Sequence, residues 1–227
     1  MTRAVLLAHG SPDPRSGEVV RARAAALSRR LELPVAAAFL DHEQPDLASV
    51  VASGRGGDPD DHVVILPLLL SSAFHARVDV PAAVAALPVS SSRQVSLLDP
   101  LGHPAPLLDA LLVRAAGPCV VVAAGTRVDD ERDAFVAAVS ASSQRTGIFA
   151  LATFATGPGP RLEDVVPAGS ATVIPWLLAP GRLLDAINSA ATAHGCTHSG
   201  EGLLLEELMV AEIAARLGSA ADKGLST

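Results

Sequence analysis

The sequence predicts an α/β protein made of two similar halves, each a parallel sheet flanked by helices. Three observations predict this. Short apolar runs alternate with longer stretches of helical periodicity. The strand candidates are almost continuously apolar, as in parallel sheets covered on both faces. The whole pattern then recurs once along the chain. With 227 residues, 49% of them hydrophobic, and a mean hydropathy of +0.38, the chain has ample material for a buried core.

The elements follow in order. Val5 to Ala8 reads as a first strand, ended by the turn Gly10-Ser11-Pro12-Asp13-Pro14. A helix from about Gly17 to Leu31 places Val20, Ala24, Leu27 and Leu31 on one face. Residues 34–40 form a second strand, and a helix starts near Pro45-Asp46. Val63 to Leu66 is a third strand within a clean apolar run broken by Pro67, and a helix begins near Val80. A weaker fourth strand falls at 94–98, followed by a helix over 106–115.

The repeat can be aligned by hand. A shift of about 115 sets Gly10 on Gly125, Phe39 on Phe154, Pro45 on Pro160, Leu47 on Leu162, and Val50-Val51 on Val165-Val166. A shorter loop in the second half, against Gly54 to Asp61, reduces the shift to about 108 at Pro67 and Pro175. It becomes about 106 at Ala73/Ala179 and Asp79/Asp185. This reading divides the chain into a first lobe at 1–116, a second at 117–217 and a flexible polar tail at 218–227.

Composition excludes several functions. The net charge of −7 and 3% aromatic content argue against nucleic-acid binding, which calls for basic stripes and stacking rings. Cys119 and Cys196 cannot make a disulfide framework and read as free thiols of a reducing compartment. No apolar run approaches the ~20 residues of a membrane span. Ala4 to Ala8 is too short for a secretory leader, so a cytoplasmic location is expected.

In open parallel sheets, ligands bind beyond the carboxyl ends of the strands. His9 ends strand one, Asp41 and Glu43 follow strand two, and His75 follows strand three. The repeat sets Ala124, Thr156, Pro158 and Gly181 opposite them. Structural residues thus recur while chemical ones stand on one side, which points to one active site, lined by the first half and closed by the second. Two imidazoles and a carboxylate suit a borderline divalent metal. The ligands are too sparse for a permanent zinc site, so transient metal handling is expected.

These residues resemble a known family. Ala8-His9-Gly10-Ser11, Phe39-Leu40-Asp41 with Pro45, and Ser72-Ala73-Phe74-His75-Ala76-Arg77-Val78-Asp79-Val80-Pro81 look like the class II sirohydrochlorin chelatases. The likeness covers nearly the whole chain, in the double-length form with both catalytic histidines in the first half. It implies two flavodoxin-like lobes across a cleft. It also implies a lyase that inserts a divalent metal into a tetrapyrrole without ATP, toward sirohaem with iron or cobalamin with cobalt. The metal, Fe(II) or Co(II) with Ni(II) also conceivable, is a substrate, and no organic cofactor is expected. Iron is slightly favoured because no His-rich storage tract is present.

By this resemblance His9 and His75 handle the metal. The family's acidic residue falls on Asp41, where this chain has Asp for Glu, and Glu43 two residues on is the alternative. Sirohydrochlorin carries many carboxylates and the protein is acidic, so binding must be local. Ser11, Ser71, Ser72 and Arg77 are the candidate contacts, with Arg182 of the second half a further one. Two lobes in one chain supply both cleft walls, so a monomer suffices and a dimer is compatible.

The remaining histidines read as bland. His42 and His62 sit in polar, loop-like stretches and should be solvated. His103 suits a turn, and His194-x-Cys196-x-His198 lacks a fourth partner and reads as a loop. Ser11 could equally cap the first helix. A serine hydrolase would need a nucleophile elbow that is missing, and Gly54-Arg55-Gly56-Gly57 is no phosphate loop. The serious alternative is a metal or tetrapyrrole carrier that uses the same histidines without turnover.

Overall fold

The computed structural model describes residues 2–53, 62–71, 75–87, 94–115, 117–165, 171–198 and 200–224, with the backbone alone at 75, 76, 223 and 224. It is the expected α/β protein, with two parallel sheets. The first sheet has the order β2-β1-β3-β4, built from β1 (Thr2–Ala8), β2 (Val35–Phe39), β3 (His62–Pro67) and β4 (Gln94–Leu97). Its register pairs Ala8 with Phe39 and Leu7 with Pro67. The second repeats that order with β5 (Cys119–Ala123), β6 (Ala150–Phe154), β7 (Thr172–Trp176) and β8 (Thr197–His198), as β6-β5-β7-β8. Here Ala123 pairs with Phe154 and Val122 with Pro175. These are the pairs that the 115- and 108-residue shifts bring into correspondence.

The central strands are buried along nearly their whole length. Val5, Leu6, Leu7, Ile65 and Leu66 have no exposed surface, each such side chain stabilising the fold by roughly 1.5–3 kcal/mol.

Helix α1 (Pro14–Leu31) starts a turn earlier than its apolar face suggests. Asp13 is the N-cap, its carboxylate accepting the Arg15 N–H, and Pro14 supplies a preset φ in the first turn. Ser11 is therefore not the cap; its hydroxyl oxygen accepts the Asp13 N–H at 3.1 Å. Helix α2 (Leu47–Ala52) is capped by Asp46, whose carboxylate accepts the Ser49 N–H at 2.7 Å. After β3 the chain passes through a π-helical turn (His75–Asp79) directly into α3 (Val80–Ala85).

By internal contacts the chain forms two units, Met1–Gly102 with Met209–Thr227, and His103–Leu208. This differs from a cut at 116. Helix α4 (Ala105–Ala115) falls in the second unit because it packs on α5 (Asp129–Thr146), where Asp109 accepts from Ser142 (2.6 Å) and pairs with Arg145 (2.7 Å). The second unit also holds α6 (Leu162–Val165), α7 (Arg182–Ala193) and a 3₁₀ turn (Leu203–Leu205).

The last helix, α8 (Glu207–Gly224), runs on into the first unit. Arg216 donates to the Pro100 and Leu101 carbonyls (2.8 and 3.1 Å) while paired with Glu212. Residues 218–224 continue this helix rather than fraying, because Leu217 and Ala221 are buried; 225–227 lie outside the described residues. A groove of about 810 Å³ runs between β4 and α8, lined by His62, Ser96, Asp99, Arg216 and Ser219 among others.

His62 is not solvated. It is 6% exposed, with Nε2 2.8 Å from Ser96 Oγ. No helix among the described residues is long and apolar enough to cross a membrane.

Candidate functional site

The carboxyl ends of β1 and β2 are joined beyond the strands proper. The Leu40 N–H donates to Ala8 O (3.0 Å) and the Asp41 N–H to His9 O (2.8 Å), so His9 and Asp41 leave the sheet side by side. The approach is closest at Gly10, whose φ is +95° and where a Cβ would sit 1.8 Å from the Asp41 carbonyl oxygen. The second unit repeats this scaffold. Gly125 has φ +103° and would place a Cβ 2.0 Å from Thr156 O, while the Thr156 N–H donates to Ala124 O at 2.9 Å. The same backbone therefore carries His9 and Asp41 in one unit and Ala124 and Thr156 in the other.

The two candidate carboxylates have different surroundings. Asp41 is open, its side chain 65% exposed. Glu43 is turned onto α1, its side chain 10% exposed and paired with Arg21 at 2.9 Å. That seat exists because position 17 is glycine, where a Cβ would lie 1.5 Å from Glu43 Oε2. Arg21, one helical turn on, also donates to Gln44 O (2.8 Å) and stacks over Phe39 at 4.8 Å.

His9 is half-buried, with Nδ1 3.3 Å from Gly10 O. His75 opens the π-helical turn after β3, a distortion frequent at functional sites, and its side chain lies outside the described residues. Ser71 is half-buried at a bend, Ser72 falls outside the described residues, and Arg77 is exposed on the π turn.

Sequence reasoning missed one neighbour. His42, expected to be merely solvated, lies with its ring centroid 6.2 Å from that of His9 and its Nε2 3.6 Å from Asp41 Oδ2. The signal was its adjacency to Asp41, but strand alternation sends successive side chains to opposite faces. The left-handed φ of +63° at His42 overrides that expectation.

In the second unit, His103 does more than shape a turn. Its Nδ1 accepts the Trp176 indole N–H at 3.0 Å, its ring packs near Phe135, and burial pushes its pKa below the usual value. His194 closes the end of α7, Cys196 is buried and His198 is exposed. Among the described residues, no group of three His, Cys, Asp or Glu side chains is placed to hold a metal ion.

These features define a class: a two-unit parallel α/β protein with imidazole and carboxylate at the ends of β1 and β2, where the matching ends of β5 and β6 carry Ala124 and Thr156. A CbiX family model matches residues 3–117. The fold matches SirB from Bacillus subtilis with Fe3+ at a TM-score of 0.77 and 20% identity, covering 99% of this chain and 98% of that one. It matches the sirohydrochlorin chelatase SirB from Bacillus subtilis subspecies spizizenii in complex with cobalt at 0.80 and 19%, covering 98% and 96%. It matches CbiX, described as the terminal enzyme for biosynthesis of siroheme in denitrifying bacteria, at 0.65 and 21%, covering 96% and 99%. No curated protein matches the sequence. The chain belongs to the CbiX family, the sirohydrochlorin chelatases that its motifs resemble.

Proposed function

We propose that the protein is an ATP-independent sirohydrochlorin chelatase in which His9, His75 and Asp41 hold the incoming divalent metal against the macrocycle. The observation that carries this reading is the one-sidedness of the two strand-end scaffolds, with His9 and Asp41 on one and Ala124 and Thr156 on the other. Glu43, already paired with Arg21, serves to fix the loop that carries Asp41. The proposed reaction replaces two pyrrole N–H protons by M²⁺. A neutral imidazole of the His9/His75 pair accepts protons as they leave, and the Asp41 carboxylate offsets the metal's charge. Ser11, Ser71, Ser72 and Arg77 are proposed to meet the substrate's carboxylates. Iron is the favoured metal, with cobalt next.

The test is metal insertion measured anaerobically with Fe(II), Co(II) and Ni(II) side by side, following the tetrapyrrole absorbance over many turnovers. A carrier would change that absorbance only stoichiometrically. His9→Ala and His75→Ala should each abolish turnover in a chain whose circular dichroism is unchanged. Near-normal insertion by folded His75→Ala protein would reject the assignment.

A further inference from the structure

We propose that His42 is a metal-capture ligand of this chain, taking up the hydrated divalent cation together with Asp41 and passing it to His9. The inference rests on the proposed reading that a metal is the substrate.

Two distances carry it. Donors sharing one tetrahedral metal at about 2.1 Å lie roughly 3.4 Å from each other; Asp41 Oδ2 and His42 Nε2 are 3.6 Å apart. Two imidazoles on one tetrahedral metal, each bonded at about 2.0–2.1 Å with the ring centre about 1 Å further on, have centroids roughly 5 Å apart. Those of His9 and His42 are at 6.2 Å, tilted by 39°, too far to share a metal as placed and near enough for one to hand it to the other.

His42 and Asp41 are also the outer members of the group, their side chains 42% and 65% exposed, whereas His9 is half-buried. The graded exposure sets the order of contact: solvent to His42 and Asp41, then inward to His9. As placed, three donors do not surround one point.

The backbone holds His42 in this position at a cost. Its φ is +63°, with the Glu43 N–H donating to Asp41 O (2.8 Å) across it in a tight γ-type turn, and its own N–H donates to Asp41 Oδ1 (2.7 Å). A side chain at such a φ is uncommon.

The test is Co(II) binding to the full chain without tetrapyrrole, followed by calorimetry and the Co(II) visible spectrum. The variants are His42→Asn and His42→Gly, both of which tolerate the left-handed turn. Each is expected to bind Co(II) about tenfold more weakly and to lose one nitrogen ligand from the spectrum. Each should also raise KM for the metal while leaving KM for the tetrapyrrole unchanged. Co(II) affinity and spectrum equal to the parent's in both variants would overturn the proposal. If the protein inserts no metal at all, the chelatase reading fails by itself, and the Co(II) measurement still decides the role of His42.

Discussion

Asp41 and Glu43 are two residues apart and chemically almost alike, yet a glycine on a neighbouring helix separates their roles. Gly17 leaves the space into which the Glu43 carboxylate folds, and Arg21 neutralises it there. Gly10 works from the other side, letting the β1 end close on the Asp41 backbone. Gly10→Ala should therefore strain a left-handed φ and push Asp41 away, costing about 1–3 kcal/mol of stability. Denaturant titration measures the stability loss, and chelation rates should fall with it. Cys119 gives a second expectation. Burial pushes its thiol up to about 11, so thiolate is scarce near neutral pH and disulfide reagents should react slowly until the protein is unfolded. A fast reaction in native buffer would contradict the buried position. At this scale the strand-end histidine and aspartate were legible, because residue type and position after an apolar run suffice to place them. The Glu43–Gly17–Arg21 arrangement was not, since it joins residues brought together only when α1 packs beside β2.

Among the elements, α8 has the largest consequence. Met209, Val210, Ile213, Ala214 and Leu217 are buried on it, at the spacing of one helical face. Ending the chain after Leu208 should remove these contacts and the Arg216 bonds to Pro100 and Leu101. Since burying each large apolar side chain contributes roughly 1.5–3 kcal/mol, the shortened chain should lose cooperative unfolding by circular dichroism. A milder change, Arg216→Ala, should cost about 1–3 kcal/mol by leaving the two carbonyls without their donor. Strands were readable from their apolar runs, and the second sheet from its correspondence with the first. The destination of α8 was not: periodicity tells which face of a helix is apolar, not which sheet that face will cover. The early start of α1 was masked likewise, because its first turn is set by Asp13 and Pro14 rather than by apolar residues.

For the molecule as a whole, the titrating groups act in one direction. His62 and His103 both have pKa values lowered chiefly by burial, below the ordinary 6.5. Between the folded and unfolded pKa the unfolded chain binds more protons, so stability falls as pH drops below about 6.5. Asp109 and Glu206, held low first by bonds from Arg145 and Arg114, add losses further into acid. Trp176 is the sole tryptophan and reports the change. Its emission in urea should show a lower unfolding midpoint at pH 5.5 than at pH 7.5, and His103→Gln should reduce the difference. Equal midpoints would argue against buried neutral imidazoles. Substrate binding should depend on salt. An acidic protein that takes a polycarboxylate must use local donors, so added NaCl should weaken binding, and indifference to salt would count against such contacts.

The return of α8 to the first unit has a consequence for biosynthesis. The stretch that walls the groove beside β4 is made long after the rest of its unit. At about 5–20 residues per second, translating the 106 intervening positions takes roughly 5 to 20 seconds. Throughout that interval the nascent first sheet lacks the helix that covers this flank, and its unit is completed only when α8 has been made.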